Sequence, residues 1–455
     1  MKKGTALIRD FTTGPIFWPL VEFSLPFMLS NALQVLYTTV DMWVVGRYLR
    51  LEGLTAVTNA GRLVDFLTAL CIGLSVSAQI YVAQLIGQGR RGELNRTIGT
   101  VFSAIALIAI AMTVLGVVGA DALVRAMNVP AEAAAGARTY LVTCTFGLLL
   151  SYGYNIVSAV LRGMGDSKRP FVFVAIASVT NLVLDLLFVG RCGMGVFGAA
   201  FATVIGQGLS YFIALAYLYR HRAEFGFDFR PSSFRIHGPI FRSFIRLGIP
   251  IAVRFSAINI SMMYVLRLIN GVGAAASAVF GVGVKLDDIV TKVTQGIMQA
   301  TTGMVGQNYG ARRFDRLRRV VVYAWLFSFG FYAVYTCFLL GNPRGMFAFF
   351  TDDSAVLDLA PLFAFTIVWS FPGLVIMRGT NGFINGIGNA ALALAFGLLD
   401  GVVLRIGCSW LLGDVLGMGL RGYILGYAVA CYGMGVPALV YFYFGPWERR
   451  KAVTA

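Results

Sequence analysis

VFSAIALIAIAMTVLGVV, residues 101–118, runs for eighteen positions without a charged side chain. At 1.5 Å per residue such a helix comes close to crossing a hydrocarbon core of about 30 Å, and it satisfies its own backbone polar groups on the way. Outward from it, Phe171 to Val189 and Val320 to Leu340 read the same way. The composition of the 455-residue chain agrees: 58% of residues are hydrophobic, 13% are charged, and the mean hydropathy is +0.76. A soluble domain of this size carries roughly 25% charged residues. Met1 to Asp10 are basic but lead into a long helix with no small-residue cleavage site, so no signal peptide is expected.

The expected architecture is an all-α polytopic membrane protein of twelve transmembrane helices. They are placed near 15–46, 56–88, 97–119, 131–161, 170–190 and 196–220, then near 246–270, 275–308, 319–341, 357–384, 390–412 and 422–444. The formal charge of +16 suggests nucleic acid only when read without positions. Basic residues gather in alternate connections: Arg90, Arg91 and Arg96; Arg162, Lys168 and Arg169; Arg220, Arg222, Arg230, Arg235, Arg242 and Arg246; Arg312, Arg313, Arg316, Arg318 and Arg319. Lys2, Lys3 and Arg9 at one end, and Arg449, Arg450 and Lys451 at the other, join that set. The opposite connections hold Arg47, Arg50, Arg125, Arg138, Arg191, Arg344 and Arg421, spread thinly. This positive-inside asymmetry puts both termini in the cytoplasm and the chain in the cell membrane.

The two halves repeat. Gln84-x-x-Gly87 matches Gln307-x-x-Gly310, and Arg162-Gly-Met-Gly-Asp166 matches Asn385-Gly-Ile-Gly-Asn389, both at an offset of 223. Ser24-Leu-Pro26 matches Gly248-Ile-Pro250, and Gly193-Met-Gly-Val-Phe-Gly198 matches Gly417-Met-Gly-Leu-Arg-Gly422, at 224. Six helices per half give both halves one orientation, hence a pseudo-two-fold axis along the membrane normal, as in many secondary transporters. The expected domains are an N-terminal lobe at 1–221, a cytoplasmic loop at 222–245 and a C-terminal lobe at 246–455. Cys71, Cys144, Cys337, Cys408 and Cys431 lie in apolar segments, Cys192 lies in a short loop, and neither they nor His221 and His237 make a disulfide framework or a metal-ligand spacing. No G-x-x-x-x-G-K-[ST] phosphate loop is present, so an ion gradient rather than ATP is the expected energy source.

Ionisable residues within a span are costly and mark function. Gln34, Tyr37 and Asp41 share one face of the first helix, and Asn181 and Asp185 share one face of the fifth. Asp41 and Asp185 each precede a glycine by five residues, which puts them at similar depth. Two carboxylates in one poorly solvated cavity do not both ionise cheaply, so the pair is expected to exchange a proton or recruit a cation. Thr203 on the sixth helix reaches the same layer, and oxygen ligands alone suit H⁺ or Na⁺. Offset by 224, Asp41 falls on Val265 and Asp185 on Ser409, so the carboxylates are private to the first half. Arg62-x-x-Asp65 and Lys285-x-x-Asp288 are shared, which favours a structural or gating role. The second half holds Arg254, Arg267, Arg378, Asp400 and Arg405: either snorkelling or Asp400-paired arginines, or a basic cavity for an anionic or zwitterionic solute.

On Gln34-x-x-Tyr37-x-x-x-Asp41, Leu161-Arg-Gly-Met-Gly-Asp166, Asn181-x-x-x-Asp185 and Gly195-x-x-Gly198-Ala-Ala, the chain resembles the multidrug and toxic compound extrusion (MATE) family over nearly its whole length. The resemblance implies cation-coupled antiport of amphipathic organic cations or drugs. It implies a cation site at Asp41, Asn181, Asp185 and Thr203, with Tyr140 and Asn155 nearby and Gln34, Tyr37, Tyr140 and Asn155 lining the cavity. Another branch of the family has acid in helices seven and ten, where this chain has Ile258 and Arg378, so coupling through the second lobe is not expected. A C-lobe solute site is expected at Arg254, Arg378, Asp400 and Arg405. No cofactor is expected beyond a coupling H⁺ or Na⁺, the latter at Asp41 and Asp185. The expected partners are a small-molecule solute and the lipid bilayer, without nucleic acid, and the chain is expected to act as a monomer and not as an enzyme. The rival readings are a lipid-linked precursor flippase of the same superfamily, which has about fourteen spans, and an intramembrane prenyltransferase. The latter lacks the second carboxylate cluster that Mg²⁺-diphosphate needs.

Overall fold

The structure, a computed structural model, describes residues 8–127 and 129–454; Lys2, Lys3 and the side chain of Arg50 lie outside the described residues. Among these, the long helices are α1 Phe17–Tyr48, α2 Arg50–Gly87, α3 Leu94–Val118, α4 Ala131–Phe146 with Leu148–Gly163, α5 Lys168–Arg191 and α6 Gly195–Arg220. The second set is α7 Gly238–Asn270, α8 Ala274–Gly310, α9 Phe314–Gly341, α10 Ser354–Ile367 with Ser370–Gly386, α11 Ala390–Val415 and α12 Gly419–Phe444. No strand occurs among the described residues. Nine of the described helices are long and apolar enough to cross a membrane, and α4 and α10, bent by 47° and 50°, raise the number to eleven. The twelfth, α8, has 37 residues, but Lys285, Asp287, Asp288 and Lys292 interrupt its apolar stretch. The all-α, twelve-helix expectation therefore holds. Helix α7 begins at Gly238 rather than at 246. Hydropathy marks only the stretch that meets lipid, whereas the helix runs on through the basic turn containing Arg242 and Arg246.

The chain forms two compact units, one containing Leu29–Ala252 and the other Phe11–Met28 with Val253–Val453. The expected boundaries at 221 and 246 differ from these at the first helix of each half. Helices α1 and α7 each change unit, and each does so two residues past an interior proline, Pro26 or Pro250. Such a proline removes a helix hydrogen bond and allows a kink. The packing that follows is repeated in both units. In the first, a Cβ on Gly73 of α2 would meet Gly248 O at 2.5 Å and Ala252 N at 2.7 Å; in the second, a Cβ on Gly296 of α8 would meet Met28 N at 2.5 Å. Gly73 and Gly296 are 223 residues apart, so the sequence offset is also a packing offset. Bare backbone lets the helices approach this closely.

The inter-lobe segment expected at 222–245 is docked, not free. Ser103 Oγ donates to Phe234 O at 2.6 Å, and Asn95 Nδ2 donates to Ser233 Oγ at 3.2 Å. Phe227 stacks on Phe102 of α3, with ring centroids 6.1 Å apart, and meets Phe229 and Phe234. Within the segment, the Ser233 hydroxyl and then the Arg230 amide hold the exposed Asp228 carboxyl below the usual carboxylate range. Gly99 makes this docking possible, because a Cβ there would collide with the carbonyl of Ser233. Gly99→Val is expected to release the segment and raise tryptic cleavage after Arg235 about tenfold, equivalent to ~1.4 kcal/mol of lost docking. Wild-type cleavage kinetics would contradict it.

Candidate functional site

In the first unit, α1, α4, α5 and α6 bring together Tyr37 and Asp41, Tyr140, Asn181 and Asp185, and Thr203. The local sequence explains each placement. Asn181 and Asp185 are one helical turn apart, and both are buried, at 3% and 1% exposure. Gly206 lies one turn beyond Thr203, and its bare backbone approaches Asn181, where an added Cβ would sit 3.3 Å from Asn181 Cβ. That close approach lets Thr203 reach the Asn181 amide. Immediately after Asp185 the helix widens into a π-helical turn, Leu186–Arg191, a distortion often found beside functional residues.

The hydrogen bonds run through the cluster. Asn181 bridges two residues: its amide nitrogen donates to Asp185 Oδ2 at 2.9 Å, and its oxygen accepts from Thr203 Oγ1 at 3.2 Å, the orientation in which every donor faces an acceptor. The Tyr37 hydroxyl lies near that of Thr203. The Asp41 and Asp185 carboxyl groups face each other at hydrogen-bond range, and Oδ1 of each is buried without a donor from the described residues. An ionised carboxyl only accepts. A bond between the two therefore needs one proton, or a cation shared between them.

Two of the expected lining residues lie apart from this network. Asn155 donates to Ser151 O on its own helix at 2.8 Å, and Gln34 is exposed on α1. Sequence reasoning missed Cys144, which lies beside Tyr140 and within reach of the Asp41 charge. Its signal is its place four residues from Tyr140 on the same face, but by composition it reads as one more cysteine of an apolar segment.

The second unit holds a separate charged interior. Arg254 Nη1 donates to Asn381 Oδ1 at 2.9 Å, and Arg405 pairs with Asp400 at 3.2 Å and lies over the Tyr427 ring at 5.0 Å. Arg378 is 5% exposed, and Asp287 on α8, 7% exposed, is close enough for their charges to interact. Arg267 is exposed near the end of α7 and takes no part. The expected four arginines against one aspartate are thus two buried arginines, Arg254 and Arg378, and the partly buried Arg405 against Asp400 and Asp287. Lys285 and Asp288 do not form the i,i+3 pair that their spacing allows; the neighbouring cations of Asp288 are Lys292 and Arg405.

The MatE family profile matches residues 26–187 and again 250–411. The "Probable multidrug resistance protein YpnP" of Bacillus subtilis (strain 168) is 27% identical over 446 residues, covering 98% of this chain and 99% of the relative. The "Probable multidrug resistance protein NorM" of Thermotoga maritima is 25% identical, covering 96% and 94%. Among solved structures, a MOP superfamily transporter from Pyrococcus furiosus, described by a reverse polarity of its binding pocket that suggests a different function, superposes with a TM-score of 0.90. It is 21% identical and covers 99% of both chains, a likeness of fold.

Proposed function

Because the chain belongs to the MatE family of multi-pass membrane transporters for small molecules, we propose that it is an ion-coupled exporter, an antiporter that moves organic solutes outward in exchange for H⁺ or Na⁺ by alternating access. The observation that carries this reading is the facing pair in the first unit, the half-buried Asp41 and the buried Asp185, with a buried, unsatisfied oxygen on each. One proton shared by the pair, or a sodium ion held by it with Asn181 and Thr203, removes the repulsion between two carboxylates. Loss of that proton or ion restores the repulsion and pushes Asp41 away from α5. Asp41 sits on α1, whose first turns, up to Met28, belong to the second unit, so a displacement of α1 is felt in both. Tyr37, one turn before Asp41 on the same helix, moves with it. We place both termini in the cytoplasm of the cell-membrane-embedded protein, on the basic-loop asymmetry, and treat the chain as a functional monomer. A flippase reading is not favoured.

Everted membrane vesicles test the coupling. An imposed proton gradient or an imposed sodium gradient is expected to drive uptake of a fluorescent solute, and collapsing that gradient is expected to stop it. Uptake that is indifferent to both gradients would sink the antiporter reading.

A further inference from the structure

The second unit repeats the layer of the first with arginines at two positions where the first has asparagines. The repeat offset of 223 carries Asn155 to Arg378, and the offset of 224 carries Asn181 to Arg405 and Thr203 to Tyr427. The change of offset has a structural cause. Helix α11 has a π-helical turn at Leu411–Val415 that matches the one in α5, and a further one at Leu399–Leu404, and such a turn admits one extra residue. The turn at Leu399–Leu404 puts Asp400 and Arg405, five residues apart, on one side, where they pair.

The hydrogen bonds of these arginines separate scaffold from site. Arg254 is held by Asn381 and packs its side chain on Gly397, where a Cβ would collide with it. Arg405 is held by Asp400 and Tyr427. Arg378 is different. Its Nε and Nη2 are buried and have no acceptor among the described residues, and Arg405 Nε has none either. Nε and Nη2 form one edge of the guanidinium, the parallel pair of donors that fits two oxygens of a carboxylate or phosphate. Asp287 Oδ1, buried on α8, has no donor among the described residues, and Asp287 and Arg378 form no ion pair although each lies in the field of the other. Opposite charges that stop short of each other, each with an open edge, suit a solute carrying both signs.

We propose that Arg378 binds an anionic group of the solute, a carboxylate or a phosphate, along its Nε–Nη2 edge, with Asp287 accepting from an ammonium of the same molecule. The proposal rests on the exporter reading for the fate of the solute, and on these side chains alone for its recognition. It makes the preferred solute of this protein zwitterionic or anionic rather than a simple organic cation.

Binding and flux test the two readings separately. Fluorescein, an anion at neutral pH, is titrated into the purified full-length protein by fluorescence anisotropy and competed with indole-3-propionate, tryptophan and inorganic phosphate. Wild type is expected to bind fluorescein. Arg378→Lys, which keeps the charge but loses the fork, is expected to weaken binding at least tenfold with an unchanged unfolding temperature. Asp287→Asn is expected to keep fluorescein binding and abolish the advantage of tryptophan over indole-3-propionate. Competition by indole-3-propionate against competition by phosphate tells carboxylate from phosphate. No fluorescein binding by wild type, or wild-type binding by Arg378→Lys or Arg378→Gln, overturns the proposal. Binding with this mutational pattern but no gradient-driven flux of any solute supports the site and sinks the exporter reading; flux of rhodamine 6G with no binding of fluorescein does the reverse.

Discussion

Asp185→Asn is expected to reduce gradient-driven efflux from proteoliposomes to the level of protein-free vesicles while leaving the protein folded. Asparagine matches the carboxylate in shape and still meets the Asn181 amide, which donates to Asp185 at 2.9 Å in the wild type. What it removes is the second titratable oxygen of the pair. The amide introduced by the substitution would donate permanently to Asp41 and so imitate the state in which the two carboxyl groups share a proton. The transporter would then hold one member of its cycle and lose the other. Its unfolding temperature should equal or exceed that of the wild type, because two facing acceptors have become a donor and an acceptor. Asp41→Asn should do the same, and the double variant should be no worse than either single one, since residues that act as a unit give non-additive losses. Wild-type efflux by Asp185→Asn would remove the pair from the coupling mechanism.

The largest structural effect is expected at Gly426. Gly422 and Gly426 lie four residues apart on α12 and face α11 backbone to backbone. A Cβ at 422 would collide with the carbonyl of Leu412, and one at 426 with the backbone nitrogen and Cα of Ser409. A side chain can rotate out of such a clash, but a helix backbone has to translate. Gly426→Leu is therefore expected to exceed the usual overpacking cost of about 1–3 kcal/mol, and to be lost to aggregation or to unfold well below the wild type in detergent. Gly330→Leu on the exposed side of α9, where a Cβ meets nothing within 4 Å, is the control and should behave as wild type. A monodisperse Gly426→Leu with an unchanged unfolding temperature would show that α11 and α12 are not packed this way.

The motif that most strongly suggests the family has a mainly structural reading here. Gly165 in Arg162-Gly-Met-Gly-Asp166 has φ +87°, a left-handed position that glycine fills without strain. Asp166 Oδ1 then accepts from the Lys168 and Arg169 amides at 3.1 and 3.2 Å, capping α5. Its repeat partner Asn389 caps α11 by accepting from Leu392 N at 3.4 Å, after Gly388 at φ +75°. The spacing of these glycines and caps is readable in the sequence because turn chemistry is local.

The same locality sets the line between what the residues alone determined and what tertiary structure decided. Length and apolarity of each stretch determined eleven of the twelve helices, and the repeat supplied α8, since a helix in lipid must satisfy its backbone within itself. The constant offset determined the two homologous halves, and counting along it showed that Asp41 and Asp185 belong to the first alone. Helical periodicity put Asn181 and Asp185 on one face, but not which helices that face would meet. Only the fold decided that Cys144 joins Tyr140 beside Asp41, while Asn155 turns to its own helix. Only the fold moved the unit boundaries into α1 and α7, because a helix reads as one element whichever partners its two ends pack against. It also sorted the arginines. Pairing of Arg405 with Asp400 and of Arg254 with Asn381, and the open edge left on Arg378, depend on helix neighbours and on one π-helical turn. Hydropathy and spacing describe each helix alone, and these pairings are properties of several helices at once.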